Sequence, residues 1–208
     1  MTLHKDLLAG LEKLNLEISE AQQNKLIEYL YLLQKWNKHF NLTAIREIEQ
    51  MLPLHLFDSL SIIPFIQGKN ILDVGTGAGL PGIPLSICFP DKKFSLLDSN
   101  GKKTRFCRQV VNELSLANVS VHQMRVEKLD PEEGFDLITT RALADLPKML
   151  DLLKPLMKPE TILLAMKGVL PNKEIKAIET CGYEVVKKRL EVPEISAERH
   201  VLLIKQSL

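Results

Sequence analysis

The sequence predicts an α/β protein: an open, mostly parallel sheet closed by a C-terminal antiparallel hairpin, preceded by an N-terminal helical cap. Three observations carry that prediction. From residue 70 onward, short apolar runs alternate with segments of helical period, the pattern that demands parallel strands joined by crossover helices. The first run, Asn70 to Val74, stops where Gly75, Gly77, Gly79 and Gly82 crowd together. Such a strand end is either the ligand loop of an open α/β sheet or an ordinary tight turn. The chain closes with two alternating apolar runs, Tyr183 to Leu190 and His200 to Lys205, with no room for a helix between them, so they pair antiparallel.

Composition sets the bounds. A chain of 208 residues, 45% hydrophobic and 25% charged, matches one globular unit with enough apolar surface for a real core. Lys plus Arg total 27 against 26 Asp plus Glu, so no global field attracts nucleic acid and any such binding needs a local patch. Cys88, Cys107 and Cys181 are odd in number and lack metal-site spacing, which fits reduced thiols in a cytoplasmic protein without a metal. No uninterrupted apolar segment approaches the roughly 18 residues of a membrane span. Nothing in the pattern requires an oligomer, and a monomer is expected.

The elements follow in order. Leu7, Leu8, Leu11 and Leu14 recur at helical spacing. After a capping box of Ser19 and Gln22, a second helix carries Leu26, Ile27, Leu30, Leu33 and Trp36 on one stripe. Such a stripe reads as a face packed on the core. A polar junction follows, Trp36 to Ile45, containing Asn41. Beyond it His55 and Asp58 sit three residues apart, on one side of a helix. Asn41, His55 and Asp58 either face the ligand loop or serve as caps and a satisfied buried histidine.

A boundary near Gly68 separates this helical extension, residues 1–68, from the α/β unit, residues 69–208. Further strands are expected at Lys93 to Leu97, Val119 to Gln123, Phe135 to Thr140 and Thr161 to Met166. The intervening helices are expected at Leu80 to Cys88, Lys102 to Leu114, Ala144 to Leu153 and Lys173 to Thr180.

Ligands of open α/β sheets bind beyond the carboxyl ends of the strands. All five parallel strands end on an ionisable residue: Asp73, Asp98, Arg125 with Glu127, Arg141 and Lys167. Asp98, about twenty residues past the glycines, has the spacing of an acid that reaches ribose hydroxyls. Two nucleoside cofactors compete. Gly77 to Gly82 matches G-x-G-x-x-G by letter, which admits a nicotinamide dinucleotide. Pro81 and Asp73, however, make a poor phosphate cradle, since pyrophosphate needs free N–H groups and no neighbouring carboxylate. S-adenosylmethionine carries an ammonium and a sulfonium and no phosphate, so an acid beside the glycines attracts it.

A specific resemblance now emerges. Asn41-Leu-Thr-Ala-Ile45, His55 with Asp58-Ser-Leu60, Asp73-Val-Gly-Thr-Gly-Ala-Gly-Leu-Pro-Gly-Ile-Pro84, Leu97-Asp98-Ser99, Arg125-Val126-Glu127, Arg141-Ala142 and Lys167-Gly168 resemble the bacterial small-subunit ribosomal RNA guanine-N7 methyltransferase G family, also called glucose-inhibited division protein B. The resemblance spans nearly the whole chain. It implies a Rossmann-like class I methyltransferase sheet and S-adenosylmethionine as cofactor. The cofactor pocket would be formed by Asp73, Gly75, Gly77, Gly79, Leu80, Val126, Glu127 and Arg141, with Asp98 on the ribose.

It also implies the target, N7 of one guanine in 16S (small-subunit) ribosomal RNA, naked or in the subunit. N7 carries a lone pair and no proton, so direct in-line transfer needs no general base, and catalysis rests on positioning and electrostatics. Arg125 and Arg141 would then hold RNA, with His55 and Asn41 as further positioning residues. Lys102, Lys103, Arg105, Arg108 and Lys167 either complete a basic patch or form a solvated face. An assembly factor that holds ribosomal RNA, a small-molecule methyltransferase and a nicotinamide dehydrogenase remain as rivals.

Overall fold

A computed structural model describes residues 2–130, 134–141 and 144–207. Its centre is a seven-stranded sheet in the order β3-β2-β1-β4-β5-β7-β6, made of β1 (Asn70–Val74), β2 (Lys93–Asp98), β3 (Val119–Gln123), β4 (Leu137–Arg141), β5 (Ile162–Lys167), β6 (Tyr183–Arg189) and β7 (His200–Gln206). The first five are parallel to one another, with Ile71 beside Phe94 and Leu137. The final hairpin is antiparallel as expected, and it enters with its second strand inward: β7 pairs with β5, and β6 forms the edge. Chain direction across the sheet reverses between β1 and β4, the switch point at which such sheets bind ligands.

Observed strands start or end within two residues of the expected positions. The largest difference is at β4, which begins at Leu137 rather than Phe135. Asp136, just ahead of it, turns its carboxylate to the Lys69 and Asn70 N–H groups, at 2.6 and 2.9 Å, and ties the start of β1 to β4.

Both sheet faces are buried, which is why the adjacent β1 residues Ile71 and Leu72, facing opposite sides, are both apolar. On one face, Ile71, Phe94 and Leu96 join a cluster with Ile83 of α5 (Gly82–Cys88), Phe106 and Val110 of α6 (Gly101–Glu113), and the cap. On the other, Leu72, Val74, Leu97 and Ile138 pack against α7 (Leu146–Leu153) and α8 (Asn172–Thr180).

The cap contains α1 (Leu3–Lys13), α2 (Glu20–Phe40) and a broken helix. The last comprises α3 (Ile48–Met51), a π-helical stretch Leu52–Phe57 containing Pro53, and α4 (Asp58–Leu60). Gly10 of α1 lies flat on Phe57, since a Cβ there would stand 2.0 Å from the ring.

The predicted capping box starts α2: Ser19 N–H reaches Gln22 Oε1 and Gln22 N–H reaches Ser19 Oγ. Gln22 also donates its amide to Ile87 O and Cys88 O at the end of α5, at 2.9 and 3.1 Å. The buried face of α2 is Leu26, Tyr29, Leu30, Leu33 and Asn37. Trp36 packs at its margin on Phe106, ring centroids 5.7 Å apart. No helix among the described residues is long and apolar enough to cross a membrane.

Candidate active site

The glycine loop leaves β1 at the switch point with positive φ at Gly75, Gly77 and Gly79, conformations open to glycine without a Cβ penalty. Gly79 and Gly82 are needed for packing as well: a Cβ would come within 2.3 Å of Ile83 and 2.2 Å of Leu96 respectively. Gly77 differs, since an added Cβ would meet nothing nearer than 3.8 Å. Gly77 therefore has room beside it that Gly79 and Gly82 lack.

The loop's own N–H groups are almost all committed. Gly75 and Thr76 donate to Leu97 O, Gly79 and Leu80 to Thr76 O, Gly77 to Asp98 Oδ2 at 3.0 Å and Gly82 to Asp73 Oδ2 at 2.9 Å. Pro81 has no N–H to give. Among the described residues only the Ala78 N–H of this stretch lacks a partner.

Asp73 lies beneath the loop, fully buried, where Oδ2 also accepts the Thr76 hydroxyl at 2.6 Å and Oδ1 has no partner. Burial pushes its pKa up to about 6, against the Thr76 and Gly82 hydrogen bonds and the Arg141 charge. Asp98, at the tip of β2, accepts Asn100 N–H with its other oxygen at 2.8 Å. Asn100 in turn caps α6 through Lys102 N–H, and Lys103 Nζ stands 3.9 Å from Asp98 Oδ2.

Three segments far apart in the chain meet at Asp58. Its carboxylate, in a side chain 6% exposed, holds Arg141 Nη1 at 3.2 Å and Arg199 Nε at 3.0 Å. Arg141 also donates to Leu54 O, and Arg199 to Glu198 O. His55 sits alongside. Its Nδ1 lies 3.0 Å from Leu54 O, a carbonyl that can only accept, so Nδ1 carries the proton and Nε2 accepts from Thr43 Oγ1 at 2.8 Å. Burial, then the Arg141 charge, lower its pKa to about 4, which keeps this neutral tautomer.

This geometry tests the cofactor. A pyrophosphate cradle needs several free loop amides, and here they are bonded within the protein. Two carboxylates, Asp73 and Asp98, flank the loop, the first with one oxygen unpartnered, an arrangement that repels phosphate and attracts a cation. The acceptor set fits the cationic S-adenosylmethionine, and each Asp98 oxygen, already accepting one backbone N–H, keeps a lone pair that would suit a ribose hydroxyl.

The GidB family profile, described as rRNA small subunit methyltransferase G, matches residues 22–202. The chain belongs to the GidB family. A ribosomal RNA small subunit methyltransferase G of Marinomonas sp. (strain MWYL1) is 47% identical over 204 residues, covering 98% of both chains. The same-named protein of Ectopseudomonas mendocina (strain ymp) is 47% identical over 98% of this chain and 96% of its own. Among solved structures, a SAM dependent methyltransferase from Aquifex aeolicus aligns with a TM-score of 0.59 and 25% identity, over 75% of this chain and 93% of that one.

The remaining residues singled out from the sequence occupy distinct settings in this GidB chain. Leu80 is buried beside the loop. Arg125 precedes a single 3₁₀ turn, Val126–Lys128, after β3. Its guanidinium is exposed and without a partner among the described residues, while Val126 is half-buried and Glu127 exposed. Lys102 and Arg105 are exposed on α6. Arg108 on the same helix reaches Val121 O at 3.4 Å. Lys167 is engaged, with Nζ on Ala144 O at 2.9 Å and 4.0 Å from Glu174, and Gly168 O accepts His200 Nδ1. Ala142 of the Arg141-Ala142 pair lies outside the described residues.

Asn41 is exposed and ends α2 in the left-handed region with φ 49°, a helix-capping role. The amide that organises the junction is Asn37, which donates to Ile45 O at 2.8 Å and accepts Thr43 N–H at 2.9 Å. Sequence reasoning missed Asn37, Tyr29 and Arg199. Tyr29 had a signal, a hydroxyl within a buried stripe that needs an acceptor. Arg199 had only its position ahead of a strand.

Proposed function

We propose that this protein transfers a methyl group from S-adenosylmethionine to N7 of a guanine in small-subunit ribosomal RNA. The observation that carries the reading is the glycine loop at the switch point, its amides committed internally and its flanks acidic, in a chain of the GidB family. When bound, the cofactor supplies an electrophilic sulfonium methyl. The loop and Asp98 hold the nucleoside end. Guanine N7 brings its own lone pair, so no side chain has to remove a proton, in keeping with a His55 whose two nitrogens are already bonded.

Arg125, free at the end of β3, and Arg141, steadied by Asp58, are the cations suited to RNA, since guanidinium forks match phosphate and the guanine O6 edge. Lys102 and Arg105 extend that surface, while the engagement of Lys167 makes it a support for the neighbouring strand tip. Such a substrate goes with a cytoplasmic location.

The test is incubation with methyl-labelled cofactor and unmodified small subunits, in parallel with stripped ribosomal RNA, and mapping of the labelled base. Label at one guanine N7 is the expected result. Absence of transfer to either form of RNA would overturn the proposal, and protection from heat by NAD rather than S-adenosylmethionine would revive the dehydrogenase.

A further inference from the structure

Among the described residues, one side-chain hydrogen bond joins the helical cap to the glycine loop. Tyr29 of α2, fully buried, donates to Ala78 O at 2.8 Å. The preceding carbonyl, Gly77 O, is met by Cys107 Sγ of α6 at 3.6 Å. Neither contact is needed to bury its side chain, since the Tyr29 ring already packs on Phe106 with centroids 6.3 Å apart. Burial raises the pKa of both groups, so both stay protonated and act as donors.

A trans peptide points its N–H opposite its C=O. Holding Gly77 O on Cys107 therefore turns the Ala78 N–H away from the core, and holding Ala78 O on Tyr29 fixes the next plane, whose Gly79 N–H is bonded to Thr76 O at 2.9 Å. The two donors orient the Ala78 N–H, left without a partner among the described residues, beside Gly77, where an added Cβ would meet nothing nearer than 3.8 Å.

We propose that Tyr29 is a positioning residue for the methyl donor: its hydroxyl, seconded by Cys107, locks the glycine loop in the form that binds S-adenosylmethionine. This rests on the cofactor reading above. A chain that lost the lock would spend part of its time with Ala78 turned, and the apparent affinity would fall by the fraction of time misplaced. The cap is thus part of the cofactor site, although it need not touch the cofactor.

The experiment uses Tyr29→Phe in the full-length protein, which removes the hydroxyl and keeps the ring. Calorimetric titration with S-adenosylmethionine should show a dissociation constant raised on the order of three- to tenfold, the loss of one buried hydrogen bond. The kcat at saturating cofactor and the KM for subunits should be unchanged. In the ligand-free protein, hydrogen exchange at the Gly79 amide should speed up by a similar factor. A role confined to stability would lower the unfolding midpoint while leaving affinity and loop exchange as they were, and that result overturns the proposal. Should Tyr29→Phe not fold, Cys107→Ala removes the neighbouring donor and is read by the same two measurements. If the unaltered protein fails to take up S-adenosylmethionine, the functional reading itself falls. If it binds and the variant binds equally well, only the lock falls.

Discussion

Removing the Asp58 carboxylate should uncouple three parts of the chain at once. The side chain is 6% exposed and holds two guanidinium groups at 3.0 and 3.2 Å. At an effective dielectric of 20, a pair at 3 Å attracts by about 5 kcal/mol before desolvation is subtracted. Deleting one partner of a buried pair typically costs about 3–5 kcal/mol, because the charge left behind has nothing to face. Here the arginine side chains are each 25% exposed and can turn partly to water, which puts Asp58→Ala near the lower end, about 3 kcal/mol. For a chain of this size that lowers Tm by roughly 6–12 °C.

The assay is a double-mutant cycle in urea with Asp58→Ala, Arg199→Met and the pair. Asp58→Ala should be the worse single change, since it strands two cations, whereas Arg199→Met leaves Asp58 paired with Arg141. The double variant should lose less than the sum of the singles, by about 1 kcal/mol or more. Strict additivity would show that the three side chains are neighbours without being coupled.

Other expectations follow from the same geometry. The pKa of His55 is about 4 in the folded chain against its ordinary 6.5, so its contribution to stability is complete above pH 6.5 and is lost as pH falls through 4. That contribution is on the order of 3 kcal/mol, and the difference between the parent and His55→Gln in urea melts from pH 7 to 4 isolates it. Asp73 titrates in the same range with the opposite sign but is common to both proteins; a difference flat with pH would refute the assignment. Gly79→Ala, which drives a Cβ to 2.3 Å from Ile83, should lower stability by about 1–3 kcal/mol. Gly77→Ala, with open space around it, should cost about 1 kcal/mol of backbone strain yet weaken cofactor binding more than its stability loss explains; equal behaviour of the two in melts and titrations would count against the division of the loop. Arg125→Ala should leave Tm and cofactor affinity intact, raise the KM for RNA, and reduce the salt slope of RNA binding by about 1.

The parallel core was legible because its strands are buried on both faces, so Ile71, Leu72 and Val74 stand close together ahead of the glycines whatever lies around them. The hairpin was legible from alternation and from the absence of helix-length sequence. The acids Asp73 and Asp98 were legible by spacing, though not their tasks, since each spends oxygens on loop amides and no spacing rule says which way a carboxylate turns. Asn41 drew attention as a polar residue in a polar junction, while the amide at work is Asn37 on the buried face of α2, hidden inside the helical period. Arg199 meets Asp58 from 141 residues away, and Tyr29 meets Ala78 from 49. Contacts of that range leave no local trace, because what selects them is a vacancy in another segment. The π-helical stretch around His55 was equally invisible, as its pattern differs from an α-helix by one residue per turn.

The inward placement of β7 sets an order of events during synthesis. After β5 is made, the next strand to appear is β6, yet the free edge of β5 is reserved for β7, which the ribosome delivers later. Until then β5 offers unpaired N–H and C=O groups to any extended chain nearby, the exposure that invites misassembly. Arg199, one residue ahead of β7, arrives with it. The clamp on Asp58, begun by Arg141 at the end of β4, is thus completed only when the sheet is complete, so a chain interrupted between β6 and β7 would lack the sealed edge and hold its cap through Arg141 alone.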